Sequence, residues 1–245
     1  MRYMGGKSRT AKQIAGFINS IRKPGQTYWE PFVGAGWILE RIKGEGENYA
    51  SDANEHLIAM WKALQDGWVP PGHVSEEEYL GIKNNMGNYP PELVAFVGFG
   101  CSFGGKWFGG YARGEGRNWA REARDSLLRK MRGISTTKCN FACSNFIESD
   151  PPDDNCLIYC DPPYEGKTGY GAVGAWNAGQ FWKRVDELES RGHTVIVSEY
   201  QAPPHFREVL SVKTKTDMNT RGGKEKRVER VFMLHPPSNA EQQPR

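Results

Sequence analysis

The most constraining feature of this chain is a strand–turn–helix alternation that begins near residue 27, is interrupted, and resumes near residue 138. Residues 27–32 (TYWEPF) read as a short strand, Gly34-Ala35-Gly36 as a turn, and 37–43 as a helix. Residues 47–51 read as a second strand running into Asp52, and Asn54 as the cap of a helix reaching about Gln65. Upstream, Ser8 stands where it can cap a helix with Ala11, Ile14, Ala15, Ile18 and Ile21 on one stripe, and Lys23-Pro24-Gly25 ends it. Alternation of this kind predicts an α/β sheet with parallel strands.

The resumed half contains two apolar strands, 138–146 and 155–160, a helix over 177–191 and a strand over 193–200. Two late β segments, 207–213 and 227–234, flank Gly222-Gly223. Between the halves, Pro70-Pro71-Gly72 and Pro90-Pro91 punctuate short helical patterns, and a Gly-rich stretch mixes aromatics with cations. Residues 67–133 therefore read as an insertion into a body made of 1–66 and 134–235, with 236–245 as a tail expected to be mobile.

Composition excludes some classes. No run of about 18 apolar residues exists, and the first ten residues lack a signal-peptide core, so the expectation is a cytoplasmic protein without a membrane partner. The five cysteines form two C-x3-C pairs, 139/143 and 156/160, but the usual zinc spacing is missing; small buried hydrophobes are expected, and no metal. The net charge of +3 is uneven. Residues 101–138 carry a net +6 and residues 213–230 a net +4, leaving −7 on the remainder. Two basic segments on an acidic body suit a polyanion partner as well as they suit solvated faces.

Three motifs carry chemistry. Glycines at 34 and 36 let the chain turn sharply and let a ligand approach the backbone. About 20 residues on, Asp52 ends a strand, where a carboxylate can accept hydrogen bonds from ribose hydroxyls or cap a helix. Together they point to a nucleoside-containing cofactor. Asp161-Pro162-Pro163-Tyr164 follows a buried strand, and its prolines end the ladder, holding a carboxylate, a free carbonyl and a ring at the sheet's carboxyl edge.

With these residues in place, the chain resembles the Dam-type (D12 class) DNA adenine N6-methyltransferases, in the motif order of the alpha subgroup. Tyr3-Met4-Gly5-Gly6-Lys7 is similar to the family's opening element, Pro31–Gly36 to its glycine turn, Ser51–Asn54 to its acidic element, and 161–164 to its catalytic tetrapeptide. Residues 219–224 with Arg227-Val228 and Arg230 are similar to its basic hairpin. The resemblance implies a Rossmann-like sheet, mostly parallel with one antiparallel strand, carrying a small, mainly helical recognition insert. It implies S-adenosyl-L-methionine as cofactor, held by Tyr3, Lys7, Glu30, Phe32, Gly34, Gly36, Asp52, Asn54, Phe146 and Asp161, with Lys7 pairing the methionine carboxylate and Phe146 bordering the adenine. Asp161, Pro162, Pro163 and Tyr164 would act on the amino group of an adenine flipped out of double-stranded DNA. Lys106, Trp107, Arg113, Arg117, Arg121 and Arg124 of the insert, and Arg221, Lys224, Lys226 and Arg227 of the hairpin, would meet the DNA, with Trp107, Phe108 and Tyr111 available to wedge or stack. The protein would work as a monomer or weak dimer on DNA in a bacterial or phage-infected cell. The alternatives are methylation of RNA adenine, cytosine N4 or a protein glutamine, or nucleic-acid binding without turnover. His56 reads as a helix-surface residue.

Overall fold

The computed structural model describes residues 1–163, 176–215 and 226–235. Seven strands form one sheet: β1 (Tyr28–Glu30), β2 (Asn48–Asp52), β3 (Cys139–Cys143), β4 (Leu157–Cys160), β5 (Thr194–Glu199), β6 (Arg207–Lys215) and β7 (Lys226–Met233). Their spatial order is β3-β2-β1-β4-β5-β7-β6. The first five run parallel to their neighbours, and β7 lies antiparallel between β5 and β6. This is the expected mostly parallel sheet with one reversed strand. The order changes direction between β1 and β4, and such a switch point opens a crevice at the carboxyl ends of the strands.

Period-two burial sorts the side chains. Tyr28, Ala50, Tyr159, Ile196, Val231 and Met233 belong to one apolar cluster. Trp29, Ile158, Cys160, Val195, Val197 and Phe232 belong to another, with Tyr49 packed against it. The first face is covered by α1 (Ala11–Ile21), α2 (Glu55–Gln65) and the middle of the chain; the second by α6 (Ala178–Ser190) and Phe146. Helix α1 follows Thr10, not a Ser8 cap, and Thr10 makes no side-chain cap bond. Asn54, Asn118 and Asn177 do cap α2, α5 (Trp119–Ile134) and α6 by accepting an N–H three residues on.

The middle segment contains α3 (Glu76–Asn84), α4 (Pro91–Ala95) continuing into one wide turn over Phe96–Gly100, and α5 (Trp119–Ile134). Its apolar residues, among them Tyr79, Val94, Phe96, Phe99 and Leu127, join the same cluster as α1, α2 and the first face of the sheet. Helix α5 runs directly into the turn before β3.

The helix expected over 37–43 is replaced by a single tight turn, Leu39–Arg41. The reason lies in where its carbonyls go. Ala35 accepts from Lys130, Trp37 from Arg41, Arg41 from Asn19 and Lys43 from Arg22. Of these only the Trp37 carbonyl is one that a helix would have used; the backbone instead closes tighter bonds, Arg41 N–H to Ile38 and Ile42 N–H to Leu39, while the side chains of Asn19, Arg22 and Lys130 hold the flanking carbonyls. A helix this short repays its nucleation cost poorly, so the tighter turn prevails.

Among the described residues no helix is long and apolar enough to cross a membrane, and no group of three or more His, Cys, Asp or Glu side chains is placed to hold a metal ion. Cys156 and Cys160 are buried, as is Cys139; Cys143 is exposed.

Candidate active site

The glycine turn leaves β1 and Asp161 leaves β4, so both stand at the carboxyl ends of neighbouring strands, at the switch point. Gly34 and Gly36 adopt φ of +45° and +63°. A Cβ on Gly34 would stand 3.0 Å from the Tyr3 ring, and one on Gly36 3.0 Å from the Trp61 ring. Glycine is thus required twice over, by backbone conformation and by close approach.

The turn is pinned from three sides. The Gly34 N–H donates to Asp52 Oδ2 (3.1 Å), the Gly34 carbonyl accepts from Trp61 Nε1 (2.9 Å), and the Ala35 carbonyl accepts from Lys130 Nζ (2.5 Å). Asp52 Oδ1 accepts the Asn54 N–H at 3.0 Å, so the carboxylate organises the turn. Burial pushes the Asp52 carboxyl up to about 6, against the pull of the Asn54, Gly34 and Ala53 amides. Asn54 itself is a buried helix cap, which gives it a structural role at the place assigned to cofactor binding.

Lys7 reaches across the fold. Its Nζ lies 2.5 Å from Asp161 Oδ1 and 3.3 Å from Glu229 Oε1 on β7. Burial works to lower the Lys7 pKa, but the two carboxylates more than offset it and leave it raised. The ammonium expected to pair with a ligand carboxylate therefore already has two protein carboxylates. Glu199, at the end of β5, feels the same charges: burial, helped by Asp161 and opposed by Lys7, pushes it up to about 7. Glu30 points into the first face, where it accepts from the Tyr28 hydroxyl at 2.9 Å; burial drives it to about 8. Its exposure is 2%, so it supports the site from beneath and has no open approach to a ligand.

Tyr3 lies against Gly34 and packs on Phe99, 4.8 Å between ring centroids. Phe32 packs on Phe146 at 5.3 Å, with Phe181 and Trp176 behind. Pro162 is buried and Pro163 half-buried beside Asp161. Tyr164 falls outside the described residues, as do Arg221, Lys224 and the tail. Lys226 and Arg227 belong to β7, and only their backbone is described.

The insert's candidates divide. Arg113 is paired with Glu76, Arg117 with Glu122 and Arg124 with Asp125, so these guanidiniums are partly neutralised. Lys106 and Arg121 are exposed and, among the described residues, form no ion pair. Trp107 is not an outward wedge: its ring stacks on His56 (5.8 Å, 17°) and packs on Phe99 and Phe108. Phe108 is buried, and Tyr111 donates to the Val74 carbonyl. His56, expected on the helix surface, is held under Trp107 instead, with its Nδ1 buried. Among the described residues the most exposed aromatic of this segment is Phe103, at 71%. It sits in a loop closed by the Ser102–Tyr111 bridge and tied to the N-terminal element by Met4 N–H donating to the Gly105 carbonyl.

Sequence reasoning missed Glu229, Glu199, Trp61 and Lys130. Only Lys130 carried a local signal: it falls on the apolar stripe of α5 with Ala120, Ala123, Leu127, Met131 and Ile134.

Comparison with known proteins bears on this arrangement. Residues 3–91 match the model of the D12 class N6 adenine-specific DNA methyltransferase family. The match spans Tyr3, Lys7, the glycine turn and Asp52. Asp161 lies beyond it. No curated protein matches the chain in sequence. Among solved structures, the rRNA methyltransferase aviRa from Streptomyces viridochromogenes is 13% identical over 94% of this chain and 85% of its own, with a TM-score of 0.44. A Pyrococcus horikoshii protein assigned as an RNA methyltransferase is 11% identical over 91% and 80%, with a TM-score of 0.41. Both scores lie below 0.5, and the fold rests on the topology described above.

Proposed function

We propose that this protein transfers a methyl group from S-adenosylmethionine to N6 of an adenine flipped out of double-stranded DNA. The observation that carries this reading is Asp161: a carboxylate ion-paired to Lys7, at the carboxyl end of β4, beside the glycine turn of β1. The residues suit the cofactor. Asp52 stands at the end of β2, held by the Gly34 and Asn54 amides, where it would accept from a ribose hydroxyl. The segment after the glycine turn forms a tight turn, not the α-helix N-terminus that favours phosphate, so a nucleoside without phosphates fits better than a dinucleotide. Lys7 has three protons, which a ligand carboxylate would share with Asp161 and Glu229.

When bound, S-adenosylmethionine supplies an electrophilic methyl on a good leaving group, so the protein's work is positioning. The amino nitrogen of adenine is a poor nucleophile because its lone pair is delocalised into the ring. Asp161 Oδ2 and the Pro162 carbonyl would each accept one N–H, favouring a pyramidal nitrogen with its lone pair free. Lys7 holds Oδ1 and fixes the carboxylate's direction. Forming the N6–methyl bond as the sulfonium S–CH3 bond breaks leaves a surplus N–H proton, which Asp161 would accept and pass to solvent; this is orientation and electrostatics, not strong-base chemistry. Residues 67–133 would choose the site on DNA, with Lys106 and Arg121 as phosphate contacts and Tyr164 stacking on the extruded base. The reaction would take place in the cytoplasm.

The test is methyl incorporation by the purified full chain into duplex DNA, with the modified base identified. N6-methyladenine is expected from the wild type and none from Asp161→Ala. Transfer retained by Asp161→Ala, or transfer to RNA, cytosine or protein but not DNA, would overturn the proposal.

A further inference from the structure

Lys130 belongs to the most basic stretch of the chain, yet it is fully buried. Its Nζ donates to the Ala35 carbonyl at 2.5 Å and lies 3.3 Å from the centroid of the Trp37 ring. Trp37 in turn packs against Gly6 of the N-terminal element: a Cβ on Gly6 would stand 3.1 Å from Trp37 Nε1. Ala35 is the middle residue of the glycine turn, and the turn is not followed by a helix that could take its carbonyls. Lys130 is the described donor to this one, from an element nearly a hundred residues away. Burying an amine is costly, and burial pushes Lys130 down to about 7. An apolar residue would fill this position on the α5 stripe without that cost. The carbonyl and the ring supply what the ammonium needs: a charge-assisted hydrogen bond and a cation–π face.

We infer that Lys130 is a positioning residue for the cofactor, clamping Ala35 so that the Gly34–Gly36 turn holds the shape in which S-adenosylmethionine binds. The inference rests on the cofactor reading above. Helix α5 thereby acquires a second role. It closes the insert and also braces the cofactor turn, so the two parts are mechanically joined.

The test is Lys130→Met, which keeps length and volume while removing the donor. Binding of S-adenosylmethionine and of its demethylated product is measured by calorimetry on the full chain, with unfolding midpoints and steady-state kinetics. The expected result is a Kd for both raised about tenfold, as for loss of one charge-assisted hydrogen bond. KM for the cofactor should rise with it, kcat should stay within about threefold, and the unfolding midpoint should fall by no more than about 12 °C, the bound set by one unsatisfied carbonyl. A Kd within about twofold of wild type overturns the inference. So does a loss confined to kcat. Should Lys130→Met fail to fold, Trp37→Leu removes the cation–π face together with the ring packed on Gly6 and is expected to weaken cofactor binding; unchanged binding there overturns the inference equally. A wild type that binds neither compound would overturn the cofactor reading itself, an outcome distinct from wild-type binding that Lys130→Met leaves intact.

Discussion

Replacing Lys7 by methionine is the sharpest single perturbation of the site. It removes the ammonium 2.5 Å from Asp161 and 3.3 Å from Glu229 and leaves two carboxylates facing each other. With an effective dielectric constant of about 20, the lost attractions are about 7 and about 5 kcal/mol before any solvation is counted. Desolvation of the three charged groups cancels much of this, and removal of one partner of a buried pair costs about 3–5 kcal/mol net. For a chain of 245 residues that is a fall in midpoint of about 6–20 °C. The Lys7 pKa is raised in the folded state, so its stabilisation is fully present below the unfolded lysine value and is lost only as pH rises through the folded one. Unfolding by urea at pH 7 therefore captures all of it. Adding Glu229→Gln to Lys7→Met should recover part of the loss, because one of the stranded charges is gone, and the two effects should be non-additive by about 1 kcal/mol or more. A Lys7→Met cost below about 1 kcal/mol, or strict additivity with Glu229→Gln, would refute the buried three-charge arrangement.

Glu30→Gln should raise stability at pH 9 and leave it nearly unchanged at pH 4: the Glu30 pKa is raised to about 8, so the folded state binds the extra proton and its advantage is lost as pH rises from the unfolded value toward 8. The gain is bounded at about 5 kcal/mol, and pH-dependent denaturation midpoints measure it. Gly36→Ala places a Cβ 3.0 Å from Trp61 at a φ of +63°; a loss of about 1–3 kcal/mol and weaker cofactor binding are expected, and wild-type values in both assays would contradict the account of the turn. Phe103→Ala should leave the unfolding free energy within about 0.5 kcal/mol while weakening duplex binding, measured by fluorescence anisotropy across a salt series. Unchanged affinity would remove this ring from the DNA interface.

Local pattern determined much of this protein. The strands could be recognised because their side chains alternate between two apolar faces, and the glycine turn, Asp52 and Asp161 because each directly follows such a strand. Each of those signals spans fewer residues than one strand–turn unit, and local sterics and burial suffice to read it. Tertiary structure decided the rest. The segment 37–43 has the pattern of a helix, but it closes as one tight turn, with its flanking carbonyls held by Asn19, Arg22 and Lys130 from distant elements. Trp107 has the composition of a wedge but is packed against His56 and Phe99, while Phe103 projects. Lys7 meets Asp161 across 154 positions, and Glu229 joins them only because β7 inserts antiparallel beside β5. Hydrogen bonds and ion pairs between distant elements outweigh the small differences in local propensity that a sequence displays. Sequence therefore established which chemical groups line the strand ends, and packing established which of them bear on one another.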